Sequence, residues 1–467
     1  MKHYELVVIG SGPAGLQSAL EAVRAGATVA VVERERRIGG ECLHRGTIPS
    51  KSLRETAVRL SNLKRGTVAP PVRLDEATEV ASLVGSLEEV VSGHSDTLRE
   101  ELDRAGVTYI HGMAHFVTPH RLSIVHVRGG QTLVEAAKII VAVGSRPRQP
   151  DRVPIDHENL LDSDSIISMA YLPRSLTVLG GGVIASEWAA TFCALGVEVT
   201  MIDRNARPME FLDPELSSAF VQQLELSGSH YLHDREIESV VWDGVSEVVT
   251  QLTDGTEVRS RKLLCAYGRK ANVDGLGLGA AGLDTNHQDH VDVDLHGRTA
   301  VPHVYVVGDA AGPPALASTG QHQGRQAARH ALGLPPSAPY DQVPMGIFTI
   351  PELASVGMDE STAREQHRDI IVGRAELIDT ARGRLGRVEG GFVKVIADAH
   401  GKRLLGAQVA GPRATELIAV AQLALIHDMP IDGWVDHVFC FPTMTEAFSL
   451  AARDVMHQRS ALDVAAQ

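Results

Sequence analysis

Cysteine is scarce in this chain: four occur in 467 residues, at positions 42, 193, 265 and 440, and none falls at the spacing of a disulfide framework or a metal cage. Such usage fits a reducing compartment, so a cytoplasmic protein is expected. Cys193 and Cys265 lie in apolar patterns and read as core residues. No apolar run is long enough to cross a bilayer, and no membrane partner is expected. The β-branched run begins as early as Tyr4, and no signal peptide is expected. Positive charge is also in deficit. A net charge of −14 argues against nucleic acid as a partner. No low-complexity tract interrupts the chain. Histidine is plentiful, but pairs such as His287 and His290 sit in an Asp/Gly-rich stretch that reads as a solvated loop, and no metal is expected.

What is present is a pattern that occurs twice. Tyr4-Glu5-Leu6-Val7-Val8-Ile9 feeds directly into Gly10-Ser11-Gly12-Pro13-Ala14-Gly15, and an Ala/Leu helix is expected from Leu16 to Ala25. A second apolar run then ends on Glu33, 23 positions after Gly10. Strand, glycine turn, helix, strand and acid form a dinucleotide fingerprint in which each part has its own task. Gly10 makes the tight turn, Gly12 lets a pyrophosphate approach the backbone at a helix N-terminus, Gly15 lets helix and strand pack, and Glu33 accepts from a ribose hydroxyl. The pattern returns as Leu176-Thr177-Val178-Leu179 followed by Gly180-Gly181-Gly182-Val183-Ile184-Ala185, with Asp203 again 23 positions after Gly180. Ala185 replaces the third glycine and is small enough to permit the same close helix packing. Two fingerprints imply two dinucleotides.

Further segments extend the pattern: Ala142-Val143-Gly144-Ser145-Arg146-Pro147, Ala266-Tyr267-Gly268-Arg269-Lys270-Ala271-Asn272, and Val304-Tyr305-Val306-Val307-Gly308-Asp309. With them the chain resembles, over nearly its whole length, the flavin-dependent pyridine nucleotide-disulfide oxidoreductases, which include glutathione reductase and lipoamide dehydrogenase. The resemblance implies an α/β fold with two Rossmann-like dinucleotide-binding domains, the FAD domain interrupted by the NAD(P) domain, and a C-terminal α+β dimerisation domain. The expected boundaries are 1–147 and 269–340 for FAD, 148–268 for NAD(P) and 341–467 for dimerisation, with a linker in 332–339. A chain of this length is in any case too long for one core. The resemblance gives Asp309 the ribityl chain of FAD and makes Gly144 and Gly268 parts of two domain crossovers. Val143 and Ala271 depart from the usual Thr and Pro there.

The segment Gly39-Gly40-Glu41-Cys42-Leu43-His44-Arg45-Gly46-Thr47-Ile48-Pro49-Ser50-Lys51 reads like the redox-active segment of a flavin disulfide reductase with Thr47 in place of its second cysteine. A threonine hydroxyl forms no disulfide and holds no thiolate. Near the C-terminus, Phe441-Pro442-Thr443-Met444-Thr445-Glu446 keeps the family's glutamate but has Phe441 where disulfide reductases have a proton-carrying histidine. A cis peptide at Phe441–Pro442 is implied, with Phe441 as packing at the dimer surface. Losing both halves of one chemistry resembles the soluble pyridine nucleotide transhydrogenases within the family. That implies FAD-mediated hydride transfer between NADPH and NAD, with NAD(H) and NADP(H) as substrates and a homodimer or higher homo-oligomer.

Under this resemblance Lys51 lies beside the flavin and pairs with Glu187, while Gly40, Cys42 and Thr47 line the cofactor. Cys42 reads either as packed or as a sensor thiol. Arg34, Arg36 and Arg37 either steer the FAD phosphates or form a solvated loop. A helix starting near Leu316 to Thr319 would stabilise negative charge on the reduced flavin. Asp203 suits the 2′-hydroxyl of NAD, whereas Arg204 and Arg207 either pair with the 2′-phosphate of NADP or point to solvent. An NAD(P)H diaphorase or quinone reductase and a non-catalytic flavoprotein redox sensor remain alternatives.

Overall fold

The computed structural model describes residues 1–65, 78–85, 87–337 and 341–465; positions 338 and 339 of the expected linker lie outside the described residues. The first sheet grows around the strand Lys2–Ile9, which pairs parallel with Val29–Glu33 on one side and with Gln131–Val141 on the other. Val7 and Val8 point to opposite faces and both are fully buried, because helices cover the Val8 side while the strands Met113–Thr118 and Arg121–Val125 and the segment 271–291 cover the Val7 side. Gln131–Val141 is long enough for two more partners. Its first half pairs antiparallel with Arg121–Val125, and its second half pairs parallel with Val304–Val306, which returns from late in the chain.

The first helix spans Pro13–Arg24, three residues earlier than the Ala/Leu run alone suggests. Proline is tolerated there because the amide it lacks has no partner within the first turn of a helix. This helix lies against Ala317–Ala331 at a contact made of small residues. A Cβ on Gly324 would stand 2.2 Å from Ala14 O, so only glycine permits the approach.

The chain leaves the first sheet through Ser145–Pro147 and re-enters it through Arg269–Ala271, and these two segments pair as an antiparallel ribbon. Between them runs a second, wholly parallel sheet in the order His230–Leu232, Glu198–Ile202, Ser175–Leu179, Lys262–Cys265, Leu160–Asp162. A three-stranded meander of Ile237–Trp242, Val248–Leu252 and Glu257–Ser260 accompanies it. The third sheet is antiparallel, ordered Met345–Ile347, Leu353–Gly357, Leu404–Ala410, Phe392–Asp398, Ile370–Glu376. Helices Ala414–Ile426 and Glu446–Ala465 supply residues to its core, where Trp434 and Phe448 are buried together. Each such side chain contributes roughly 1.5–3 kcal/mol. The Phe441–Pro442 peptide is cis. Cys265 is buried as expected, but Cys193 is only half-buried, because it sits at the rim of its helix beside Ser229.

Candidate active site

Both glycine turns sit at the C-terminal ends of parallel strands, where α/β sheets leave a crevice. At Gly10 the backbone is left-handed, and a Cβ would lie 2.3 Å from Ala142 O; at Gly15 it would lie 2.0 Å from Gly10 O. Gly12 is different. A Cβ there would meet nothing closer than Gly40 Cα at 4.0 Å, so this part of the turn faces open space. Gly12 also caps the helix Pro13–Arg24 without any side-chain hydrogen bond, which leaves the amides of the first turn free. They face a cavity of about 940 Å³. Glu33 is buried at its edge, accepting from Ser11 N at 2.8 Å and Ser11 Oγ at 2.6 Å through one oxygen and from Glu35 N at 2.9 Å through the other. Arg34, Arg36 and Arg37 are exposed and line the same cavity.

On the opposite wall Asp309 accepts from Ser145 Oγ at 2.6 Å through Oδ2, and Arg269 Nε donates to that hydroxyl at 2.8 Å. Oδ1 takes no hydrogen bond from the described residues. The helix Ala317–Ala331 begins beside it, with Leu316, Ala317 and Ser318 lining the cavity. Gly144 and Gly268 both have positive φ with nothing near a hypothetical Cβ, so glycine is needed there for backbone handedness alone.

Lys51, on the helix Thr47–Arg65, donates to Glu187 Oε2 at 2.5 Å, and Glu187 comes from the helix Val183–Leu195 that follows the second glycine turn. The other oxygen of Glu187 accepts from Phe348 N at 2.8 Å, and the Lys51 ammonium lies 4.9 Å from the centre of the Phe348 ring. Buried Arg54, one turn along from Lys51, donates to Phe348 O, Thr349 O and Glu352 Oε1. Three parts of the fold therefore meet at one wall of the cavity. Arg54, Phe348 and Glu352 carry no local sequence signal, because each gains its meaning from residues hundreds of positions away.

The second turn repeats the first. Gly180 is left-handed with Ala266 O 2.8 Å from its Cβ position, Gly182 is open, and Ala185 is fully buried against the sheet. A Cβ on Gly181 would stand 2.1 Å from Asp203 Oδ2, so the acid leans directly over the turn. Asp203 accepts from Arg204 N at 2.9 Å and from Tyr231 OH at 3.4 Å. Burial pushes its pKa up, and these hydrogen bonds only partly oppose that. Arg204 is exposed and its side chain makes no hydrogen bond or ion pair with the described residues. Arg207 does neither of the two things expected of it. Its guanidinium donates to Glu210 O at 2.6 Å, Leu212 O at 2.8 Å and Ser217 Oγ at 3.1 Å, because the loop folds back over it and needs partners for its carbonyls.

The model for pyridine nucleotide-disulphide oxidoreductases matches residues 4–324, and the dimerisation domain of the same group matches residues 343–452. The chain belongs to the pyridine nucleotide-disulphide oxidoreductase family. It is 36% identical to a soluble pyridine nucleotide transhydrogenase from Mycobacterium bovis, over 99% of both chains. It is 34% identical to a protein of the same name from Vibrio atlanticus, covering 96% of this chain and 97% of that one. Among solved structures, LpdA from Mycobacterium tuberculosis matches with a TM-score of 0.89 at 26% identity, over 97% of this chain and 99% of the other.

The family's cofactors, FAD with NAD or NADP, fit the residues present. The crowded glycines at 10, 15 and 40 form a cradle, Gly12 leaves it open, and Asp309 retains an acceptor at the far end. The family's dithiol relay is missing here. Thr47 stands close enough to Cys42 to pull its thiol pKa down, so threonine occupies the place a second sulfur would need. Burial pushes the Cys42 pKa up, more than Thr47 and the Lys51 charge pull it down. Phe441 is 71% exposed and belongs to no hydrophobic core among the described residues, while Glu446 accepts from Ala381 N at 3.2 Å. Among the described residues no three His, Cys, Asp or Glu side chains gather as a metal site, and no helix is long and apolar enough to cross a membrane.

Proposed function

We propose that the protein transfers hydride between NADPH and NAD through FAD held in the cavity between the first glycine turn and the helix Ala317–Ala331. The observation that carries this reading is the Lys51–Glu187 pair on the cavity wall, kept intact beside a Cys42–Thr47 contact that cannot pass electrons to a disulfide. FAD bound there would supply the two-electron carrier between one nicotinamide and the next. Gly10, Gly12 and Gly15 would seat its pyrophosphate, Glu33 and Asp309 its two sugar-like parts, and Gly40, Cys42 and Thr47 would pack beside it.

Lys51 holds a positive charge at the cavity wall, and Glu187 fixes its position by binding Phe348 as well. This geometry keeps the catalytic cation from wandering when a nucleotide leaves and the next arrives. Gly180, Gly182 and Ala185 would seat the nicotinamide nucleotide. Asp203 accepts from a ribose 2′-hydroxyl, and the free guanidinium of Arg204 pairs with a 2′-phosphate. Residues 1–147 and 269–340 form the FAD domain in this reading, 148–268 the NAD(P) domain and 341–467 the dimerisation domain. A homodimer is supported by exposed apolar residues on the last of these, Leu423, Ile426, Val438 and Phe441. Cysteine usage supports a cytoplasmic setting.

Because both nucleotides would use one site in turn, initial rates at varied NADPH and varied NAD analogue should give parallel double-reciprocal lines. Intersecting lines would require both nucleotides bound together and would overturn the single-site reading.

A further inference from the structure

The loop that carries Arg204 runs from Asp203 to the helix Pro214–Leu226, and it is held at two points beyond Arg204. Met209 N donates to Gly181 O at 2.7 Å, which ties the loop to the second glycine turn. At the far end Asp213, 1% exposed, caps the helix by accepting from Glu215 N at 3.0 Å through Oδ1. Its other oxygen lies 2.7 Å from the ammonium of Lys394. Lys394 belongs to a different part of the molecule. It stands on Phe392–Asp398 in the third sheet with its side chain 3% exposed, and also donates to Glu215 Oε1 at 2.7 Å and Glu360 Oε2 at 3.2 Å. Arg207 braces the stretch between these two points through its bonds to Glu210 O and Leu212 O.

Burying an ammonium is costly unless every proton finds an acceptor, and here three carboxylates supply the acceptors. An apolar side chain would hold two domains together equally well. What the ammonium adds is direction, since its stabilisation is lost if Asp213, and with it the end of the loop, moves by even an ångström or so.

We propose that Lys394 is a positioning residue for nucleotide selection: by fixing Asp213 from the third sheet, it sets the course of the loop that holds Arg204 beside Asp203, and so the preference for a 2′-phosphate over a 2′-hydroxyl. This rests on the reading of Arg204 as the phosphate partner and adds to it a residue from another domain.

The test uses holoenzyme of Lys394→Met, Asp213→Asn and Arg204→Ala, with KM and kcat measured separately for NADPH and NADH as donors and thermal melting recorded alongside. Asn keeps the helix cap while removing the charge, so Asp213→Asn carries the test if Lys394→Met does not fold. Both variants should raise the KM for NADPH about three- to thirtyfold, with the NADH KM and both kcat values within about twofold of the parent. Lys394→Met should add no further NADPH defect on top of Arg204→Ala. An equal rise for both nucleotides, or no rise for either, overturns the proposal. If Arg204→Ala raises the NADPH KM but the other two variants do not, the positioning role alone fails. If Arg204→Ala leaves NADPH unaffected, the phosphate reading fails, whatever Lys394→Met does.

Discussion

Glu187 divides its carboxylate between two neighbours, with one oxygen 2.5 Å from Lys51 Nζ and the other 2.8 Å from Phe348 N. A residue just past the second glycine turn thereby fixes a cation on the helix after the first, and the strand region of the third sheet fixes the residue in turn. The first prediction follows from this division. Glu187→Gln keeps an oxygen for the Phe348 amide but removes the charge that orients Lys51. Flavin content should stay near that of the parent, while the rate of flavin reduction by NADPH falls about ten- to a hundredfold, as expected for one charge-assisted hydrogen bond. Stopped-flow reduction measures it, and an unchanged rate would remove Lys51 and Glu187 from the machinery.

The Cys42–Thr47 contact predicts an absence that can be seen spectroscopically. Burial keeps the Cys42 thiol protonated near neutrality, and Thr47 supplies no sulfur to bridge. Anaerobic addition of one equivalent of NADPH should bleach the flavin without a long-wavelength thiolate–flavin band. Phe441→His alone should create no glutathione disulfide reduction while Thr47 remains.

Nucleotide preference should divide between Asp203 and Arg204. Asp203→Asn is expected to weaken NAD and improve NADP, and Arg204→Ala to weaken NADP alone, each by about 1–3 kcal/mol in ΔΔG from KM or Kd. Arg207→Ala should act differently. It strips the loop of three hydrogen bonds, so its first effect should be a lower melting temperature.

The cluster around Lys394 predicts an acid limit. Burial alone would raise the pKa values of Glu215 and Glu360, but the lysine and neighbouring arginines outweigh it and hold both below the usual glutamate value. A carboxylate depressed on folding contributes stability above its unfolded pKa and loses it as pH falls through the folded one. The parent protein should therefore lose more of its melting temperature between about pH 5 and pH 3 than Lys394→Met does. Equal losses would show that the cluster contributes nothing to the acid transition.

The two glycine fingerprints were legible because their parts lie within a few dozen residues and their spacing is set by one strand, one turn and one helix. Thr47 and Phe441 were legible as departures, but only against the pattern of the family the chain resembles, and Lys51 and Glu187 likewise. Arg54, Phe348, Glu352 and Lys394 were not legible at all. Each acts across sheets that the sequence leaves unplaced, and a lysine in a strand looks like any solvent-facing residue until three carboxylates from elsewhere surround it. Arg207 misled for the opposite reason: its nearness to Asp203 in sequence suggested a shared ligand, whereas the loop turns it back onto its own carbonyls.

The central claim is that the nicotinamide acceptor, rather than a disulfide or a quinone, receives the electrons. Purified holoenzyme supplied with NADPH, a reducible NAD analogue, a quinone and glutathione disulfide together measures this directly. The account predicts that the analogue is reduced in step with NADPH oxidation while both competitors remain oxidised. NADPH oxidation matched by quinone or disulfide reduction, with the analogue untouched, would contradict it.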